Sequence, residues 1–168
     1  MVEGRAIISD IGETKKKIEQ MGGIFRGDYI FKDVIFVPQI NDYNLNDDYL
    51  RLRIYEKNNW PRKNFSLVRK RAKKSILKKD FDAENEALDF IEQEFSAEFK
   101  QGFEFSRQGW QYDFGSTRIF LEDIENFKPM IEVETETEQK LELLFAKIGI
   151  IKKINESMPE IMRRIKNI

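Results

Sequence analysis

Leu50-Arg51-Leu52-Arg53 alternates aliphatic and cationic side chains, and Ile131-Glu132-Val133-Glu134 repeats the pattern with carboxylates. Successive side chains of a β-strand point to opposite faces. The two arginines therefore share one face and the two leucines the other. The two glutamates divide from Ile131 and Val133 in the same way. Similar pairs recur along the chain: Glu3 with Arg5, Arg69 with Arg71 opposite Val68 with Lys70, and Arg118 with Phe120 and Glu122. The apolar faces, which carry Leu50, Leu52, Leu121, Ile131 and Val133, need cover, and amphipathic helices can supply it. With helices outside, the charged faces look inward. A twisted antiparallel sheet of many strands tends to curl. The expected fold is α+β: a closed or nearly closed antiparallel β-barrel, a tunnel with a charged lining, and helices packed on the outside.

Working outward, Val2 to Ile8 reads as a strand, followed by a helix capped by Asp10 with Glu13 three residues on and stopped at Gly22-Gly23. Tyr29 to Val37 is aromatic and β-branched, and so a strand with core side chains; Asp33 interrupts it. Further strands are expected over 49–55, 65–71 and 75–81, with a turn at Asn58-Asn59-Trp60-Pro61. The stripe Ala87, Leu88, Ile91, Phe95 predicts a helix over 83–99. Strands follow over 103–107, 110–114, 118–124 and 130–136, with Gly109 and Gly115 at the breaks. Thr137 starts a helix ended by Gly149, and Pro159 opens a last one. A weak internal symmetry is visible, in which strand, helix and a run of strands occur twice. No linker interrupts the pattern, so residues 1–168 are expected to form a single domain.

Composition narrows the chemistry. The chain has no Cys and no His, which excludes thiolate and imidazole catalysis and leaves carboxylates, Lys, Arg and hydroxyls, with or without a metal. Its 29 Lys and Arg are matched by 30 Asp and Glu, which argues against a general nucleic-acid coat. No apolar run has the length of a signal or a membrane span. The expected setting is the cytoplasm, as a monomer or homodimer without membrane or nucleic-acid partners.

A lining that holds both cations and carboxylates suits a metal-bound polyphosphate. Guanidinium groups fork onto phosphate oxygens. Clustered Glu gains from a hard cation, Mg²⁺ or Mn²⁺, which takes carboxylate and substrate oxygens together.

These residues resemble the CYTH family, the triphosphate tunnel enzymes. Leu50-Arg51-Leu52-Arg53 matches its Leu-Arg-x-Arg strand. Leu67-Val68-Arg69-Lys70 is similar to its Leu-Thr-x-Lys strand, with Val68 in place of Thr. Leu121-Glu122-Asp123-Ile124 resembles its acidic turn with the acids exchanged, and Glu132-Val133-Glu134 matches its late Glu-x-Glu strand. Met1-Val2-Glu3-Gly4-Arg5 carries two of the three charged positions of its Glu-x-Glu-x-Lys strand, with Met1 where the first Glu stands. Lys78-Lys79-Asp80-Phe81 falls where members often carry a Glu-rich strand. Ser157-Met158-Pro159-Glu160-Ile161-Met162 resembles the Ser-Tyr-x-Glu-Leu-Leu ending of class IV adenylyl cyclase-like members.

The resemblance implies Arg51, Arg53, Lys70 and Arg107 as the catalytic cations, joined by Arg5 and Arg118 in binding the substrate. It implies Glu3, Glu122, Glu132 and Glu134 as metal ligands for Mg²⁺ or Mn²⁺. The implied substrate is a small triphosphate such as ATP or tripolyphosphate. The implied activity is a class IV adenylyl cyclase-like one, ATP to cyclic AMP and pyrophosphate. An inorganic or organic (for example thiamine) triphosphatase and a non-catalytic polyphosphate- or nucleotide-binding module are the alternatives.

Overall fold

The computed structural model describes residues 1–57 and 64–168, so the turn expected at Asn58-Asn59-Trp60-Pro61 lies outside the described residues. In chain order the elements are β1 (Val2–Ile7), α1 (Ile11–Gln20), β2 (Ile24–Pro38), β3 (Asp48–Lys57), β4 (Phe65–Arg71), β5 (Lys74–Phe81) and α2 (Glu84–Phe95). They continue with β6 (Phe99–Phe114), β7 (Thr117–Ile124), β8 (Met130–Thr135), α3 (Glu138–Ile148), β9 (Lys152–Ile154) and α4 (Met158–Lys166).

Among the described residues nine strands are hydrogen-bonded in the order β5-β4-β3-β2-β6-β7-β8-β1-β9, one antiparallel sheet. The α+β class holds. The expected closed or nearly closed barrel does not follow, because this order has two ends and the sheet is not closed. Both ends carry features that discourage further pairing: β9 is 3 residues long and starts with Lys152-Lys153, and β5 exposes Lys74, Lys78 and Lys79. None of the helices among the described residues is long and apolar enough to cross a membrane.

The described residues fall into two compact units, with β2 and β6 contributing to both. One comprises residues 1–30 and 107–155. Its core joins Ala6 and Ile8, Ile119 and Leu121 of β7, and Ile131 and Val133 of β8 to Ile18 of α1 and Leu141, Leu144, Phe145 and Ile148 of α3. These are the aliphatic halves of the alternating strands, so burying them leaves the charged halves on the other face. Helix α1 begins as expected: the Glu13 N–H donates to Asp10 Oδ1 at 2.7 Å. Thr137 caps α3 in the same way, and Gly149 closes it in the left-handed region at φ 79°.

The other unit comprises residues 31–57, 64–106 and 156–168. Leu50, Leu52, Leu67 and Phe81 pack with Val34, Phe36 and Phe99 against Ala87 and Ile91 of α2. Helix α2 is shorter than the apolar stripe suggests and ends at Phe95. Phe99 instead opens β6, where it lies 4% exposed with its carbonyl accepting from Gln39 Nε2 at 3.0 Å. Helix α4 is tied to the polar loop before β3. Glu160 Oε2 accepts the Leu45 N–H at 2.8 Å, and the Ser157 hydroxyl donates to the Leu45 carbonyl at 2.8 Å.

Candidate functional site

In the first unit the register sets the charged groups side by side. Glu3 lies opposite Glu134 and Arg5 opposite Glu132 across β1 and β8. Arg118 lies opposite Glu134, and Glu122 opposite Met130, across β7 and β8. Gly109 lies opposite Glu122, and Arg107 opposite Ile124, across β6 and β7. Directly opposed residues share a face, so Glu3, Arg5, Arg107, Arg118, Glu122, Glu132 and Glu134 all occupy one face of these strands.

One carboxylate oxygen from each of Glu3, Glu132 and Glu134 lies within 4.8 Å of the others. Two oxygens on opposite sides of Mg²⁺, each about 2.1 Å from it, span a comparable distance. Glu134 is also paired with Arg118 at 2.5 Å. Burial, then the charges of Glu122 and Glu3, raise the Glu132 carboxyl to about 7, although Arg5 and Arg107 oppose the shift. Crowded carboxylates of this kind are relieved by a hard cation. The donor set therefore fits Mg²⁺ or Mn²⁺: oxygen only, with no soft ligand.

Glu122 is held differently. Its Oε1 accepts from Arg107 Nη1 at 2.9 Å and its Oε2 from the Tyr29 hydroxyl at 2.7 Å. Both side chains of the Arg107–Glu122 pair are under a tenth exposed. Burial and the Glu122 charge hold the Tyr29 phenol protonated, well above its ordinary range. Gly109 makes room for the tyrosine, since a Cβ there would lie 2.1 Å from Tyr29 Cζ. The sequence pattern suggests a strand break at this glycine; instead β6 runs through it unbroken.

In the second unit Arg51 lies opposite Val68, Arg53 opposite Ser66 and Lys70 opposite Tyr49. Arg51, Arg53 and Lys70 thus share one face, away from Leu50 and Leu52. Lys78, opposite Val68, adds a further cation to this face that sequence reasoning did not assign to the site. Arg53 is clamped: its Nε and Nη2 donate to the two oxygens of Asp33 at 2.8 and 3.0 Å, and its guanidinium lies 3.8 Å from the centre of the Phe31 ring. Asp33 is fully buried. Its place inside an aromatic run is the one sequence signal that could have marked it.

The C-terminal motif has a structural explanation. Ser157 and Glu160 are spent on capping α4 and holding Leu45, and burial of Glu160 is outweighed by Arg163 and the Leu45 N–H, which lower its carboxyl below the usual range.

No family model and no curated protein matches the chain. Solved structures do. The PH1819 protein of Pyrococcus horikoshii OT3 superposes with a TM-score of 0.81 at 20% identity, covering 99% of this chain and 98% of that one. A presumptive adenylate cyclase from Vibrio parahaemolyticus gives 0.73 at 14% identity over 96% of each chain. A presumptive adenylyl cyclase from Hippeastrum, with a dominant triphosphatase activity, gives 0.68 at 14% identity over 96% of this chain and 94% of that one. The chain shares the fold of these proteins.

Proposed function

We propose that this chain is a CYTH-type, metal-dependent enzyme that hydrolyses a small triphosphate. The observation that carries the reading is the cluster of Glu3, Glu132 and Glu134, with Glu132 raised to about 7 by burial and then by the charges of Glu122 and Glu3. Those three would hold Mg²⁺ or Mn²⁺. When bound, the cation would polarise a phosphoryl oxygen and offset charge developing in the transfer. Arg107, with Arg5 and Arg118, would bind the phosphate oxygens and fix the chain of phosphates relative to the nucleophile, and Arg51, Arg53 and Lys70 form a cationic face in the second unit that would bind phosphate oxygens in the same way. Preorganisation supports this role for Arg53 and Arg107, whose guanidinium groups are already anchored by Asp33 and Glu122.

Water is the nucleophile in this reading, and orthophosphate the product. The Hippeastrum protein supports it, as a presumptive cyclase whose dominant activity is triphosphatase. The second reading is class IV adenylyl cyclase chemistry, in which the ribose 3′-hydroxyl attacks the α-phosphorus of ATP. It is favoured by the names of the Vibrio and Hippeastrum relatives. It loses the support of the Ser157–Met162 resemblance, because the Ser157 and Glu160 side chains are engaged in holding α4 and the loop before β3.

Incubation with tripolyphosphate and with ATP, each with Mg²⁺ and with Mn²⁺, tests the proposal. Orthophosphate release is expected, abolished by Glu132→Gln. Cyclic AMP would replace the hydrolytic reading with the cyclase one. Binding without turnover would make the chain a polyphosphate-binding module.

A further inference from the structure

Glu122 stands among the acids expected to bind metal, yet its contacts give it other work. Each of its oxygens already accepts a hydrogen bond, one from Arg107 Nη1 and one from the Tyr29 hydroxyl. Rotating the carboxylate toward Glu3, Glu132 and Glu134 would break at least one of these bonds in a site where Glu122 is only 3% exposed. Breaking a charged hydrogen bond there is costly. Tyr29 reaches Glu122 from 93 residues away, and it does so only because position 109 lacks a side chain.

We propose that Glu122 and Tyr29 are positioning residues: Tyr29 fixes Glu122, and Glu122 fixes the Arg107 guanidinium in its phosphate-binding orientation. The Glu122 carboxylate is thereby withheld from the metal cluster, which is left with Glu3, Glu132 and Glu134. For its benefit to the enzyme the assignment rests on the triphosphate reading; its geometry does not. Binding is helped because a guanidinium already immobilised loses less rotamer freedom when phosphate arrives.

Tyr29→Phe and Glu122→Gln test the assignment with three readouts: binding of Mn²⁺ alone, binding of tripolyphosphate alone, and nitrogen-15 NMR of the Arg107 guanidinium. Wild type should show an Arg107 guanidinium slow to rotate, and both variants should release it. Tripolyphosphate affinity should fall about tenfold in each, and Mn²⁺ affinity should stay within about twofold of wild type in Tyr29→Phe, which keeps the Glu122 charge beside Glu132. A merely structural role would lower stability without moving the tripolyphosphate affinity of the folded protein. A tenfold change of Mn²⁺ affinity in Tyr29→Phe would tie Glu122 to the metal and overturn the assignment, as would an Arg107 signal unchanged in both variants. If Tyr29→Phe fails to fold, Glu122→Gln carries the test alone. If wild type fails to bind tripolyphosphate, the proposed function falls, and the Arg107 signal still decides whether Tyr29 and Glu122 hold it.

Discussion

The charged faces of the two units are built on opposite principles. On β3 the Arg53 cation comes with internal compensation, since fully buried Asp33 takes both ends of its fork. On β1 and β8 three acids converge, and burial, then the charges of Glu122 and Glu3, push Glu132 up to about 7 despite Arg5 and Arg107. A compensated pair can be rigid before a ligand comes. Crowded, buried carboxylates carry an electrostatic cost that a proton or a counter-ion removes. The contrast separates a carboxylate cluster that a cation would relieve from an arginine held in place in advance.

The largest effect should come from breaking the Arg53–Asp33 pair. Arg53→Ala would take the paired cation from fully buried Asp33 and cost about 3–5 kcal/mol in urea unfolding; Arg53→Ala combined with Asp33→Asn should recover part of that loss. If Arg53→Ala alone unfolds like wild type, the pair is not the anchor described.

Relieving the crowded face should act in the other direction. A carboxyl whose folded pKa is raised contributes stability below its ordinary value of about 4.5, and that contribution is lost as pH climbs through about 7. Glu132→Gln should therefore match wild type near pH 4 and be the more stable protein at pH 8, by thermal unfolding without divalent ions. Adding Mn²⁺ should stabilise wild type and have less effect on the variant. A variant less stable than wild type at pH 8 would remove the crowding argument.

The smallest effect concerns Arg118, which is half exposed beside Glu134. Arg118→Ala should cost at most about 1 kcal/mol in urea unfolding. A loss above about 3 kcal/mol would mean that the glutamate face is balanced after all.

Much of this was legible in the chain. Alternation alone separated Leu50 and Leu52 from Arg51 and Arg53, and Ile131 and Val133 from Glu132 and Glu134, because a period of two is a local property of a strand. Caps at Asp10 and Thr137 were local too. What escaped was set by pairing between distant segments. Gly109 resembles a strand break when read locally, and its meaning appears only with Tyr29 above it. Tyr29 reads as core until its hydroxyl is seen on Glu122. Asp33 lies 20 residues from Arg53, with nothing in the intervening sequence to link them. Closure of the sheet was inferred from the tendency of twisted strands to curl, which does not say whether the terminal strands meet.

Helix α4 carries a consequence for how the chain is made. Leu45 lies in the loop that leads into the arginine strand, and it is held by Glu160 and Ser157, 115 and 112 positions later. On the ribosome the loop's amide and carbonyl must wait for residues translated long after the strand itself. Contacts of such separation form late and slowly. The entrance to the arginine strand is therefore among the last parts of a nascent chain to set. A pause or a proteolytic cut ahead of α4 would leave β3 made, but not yet moored.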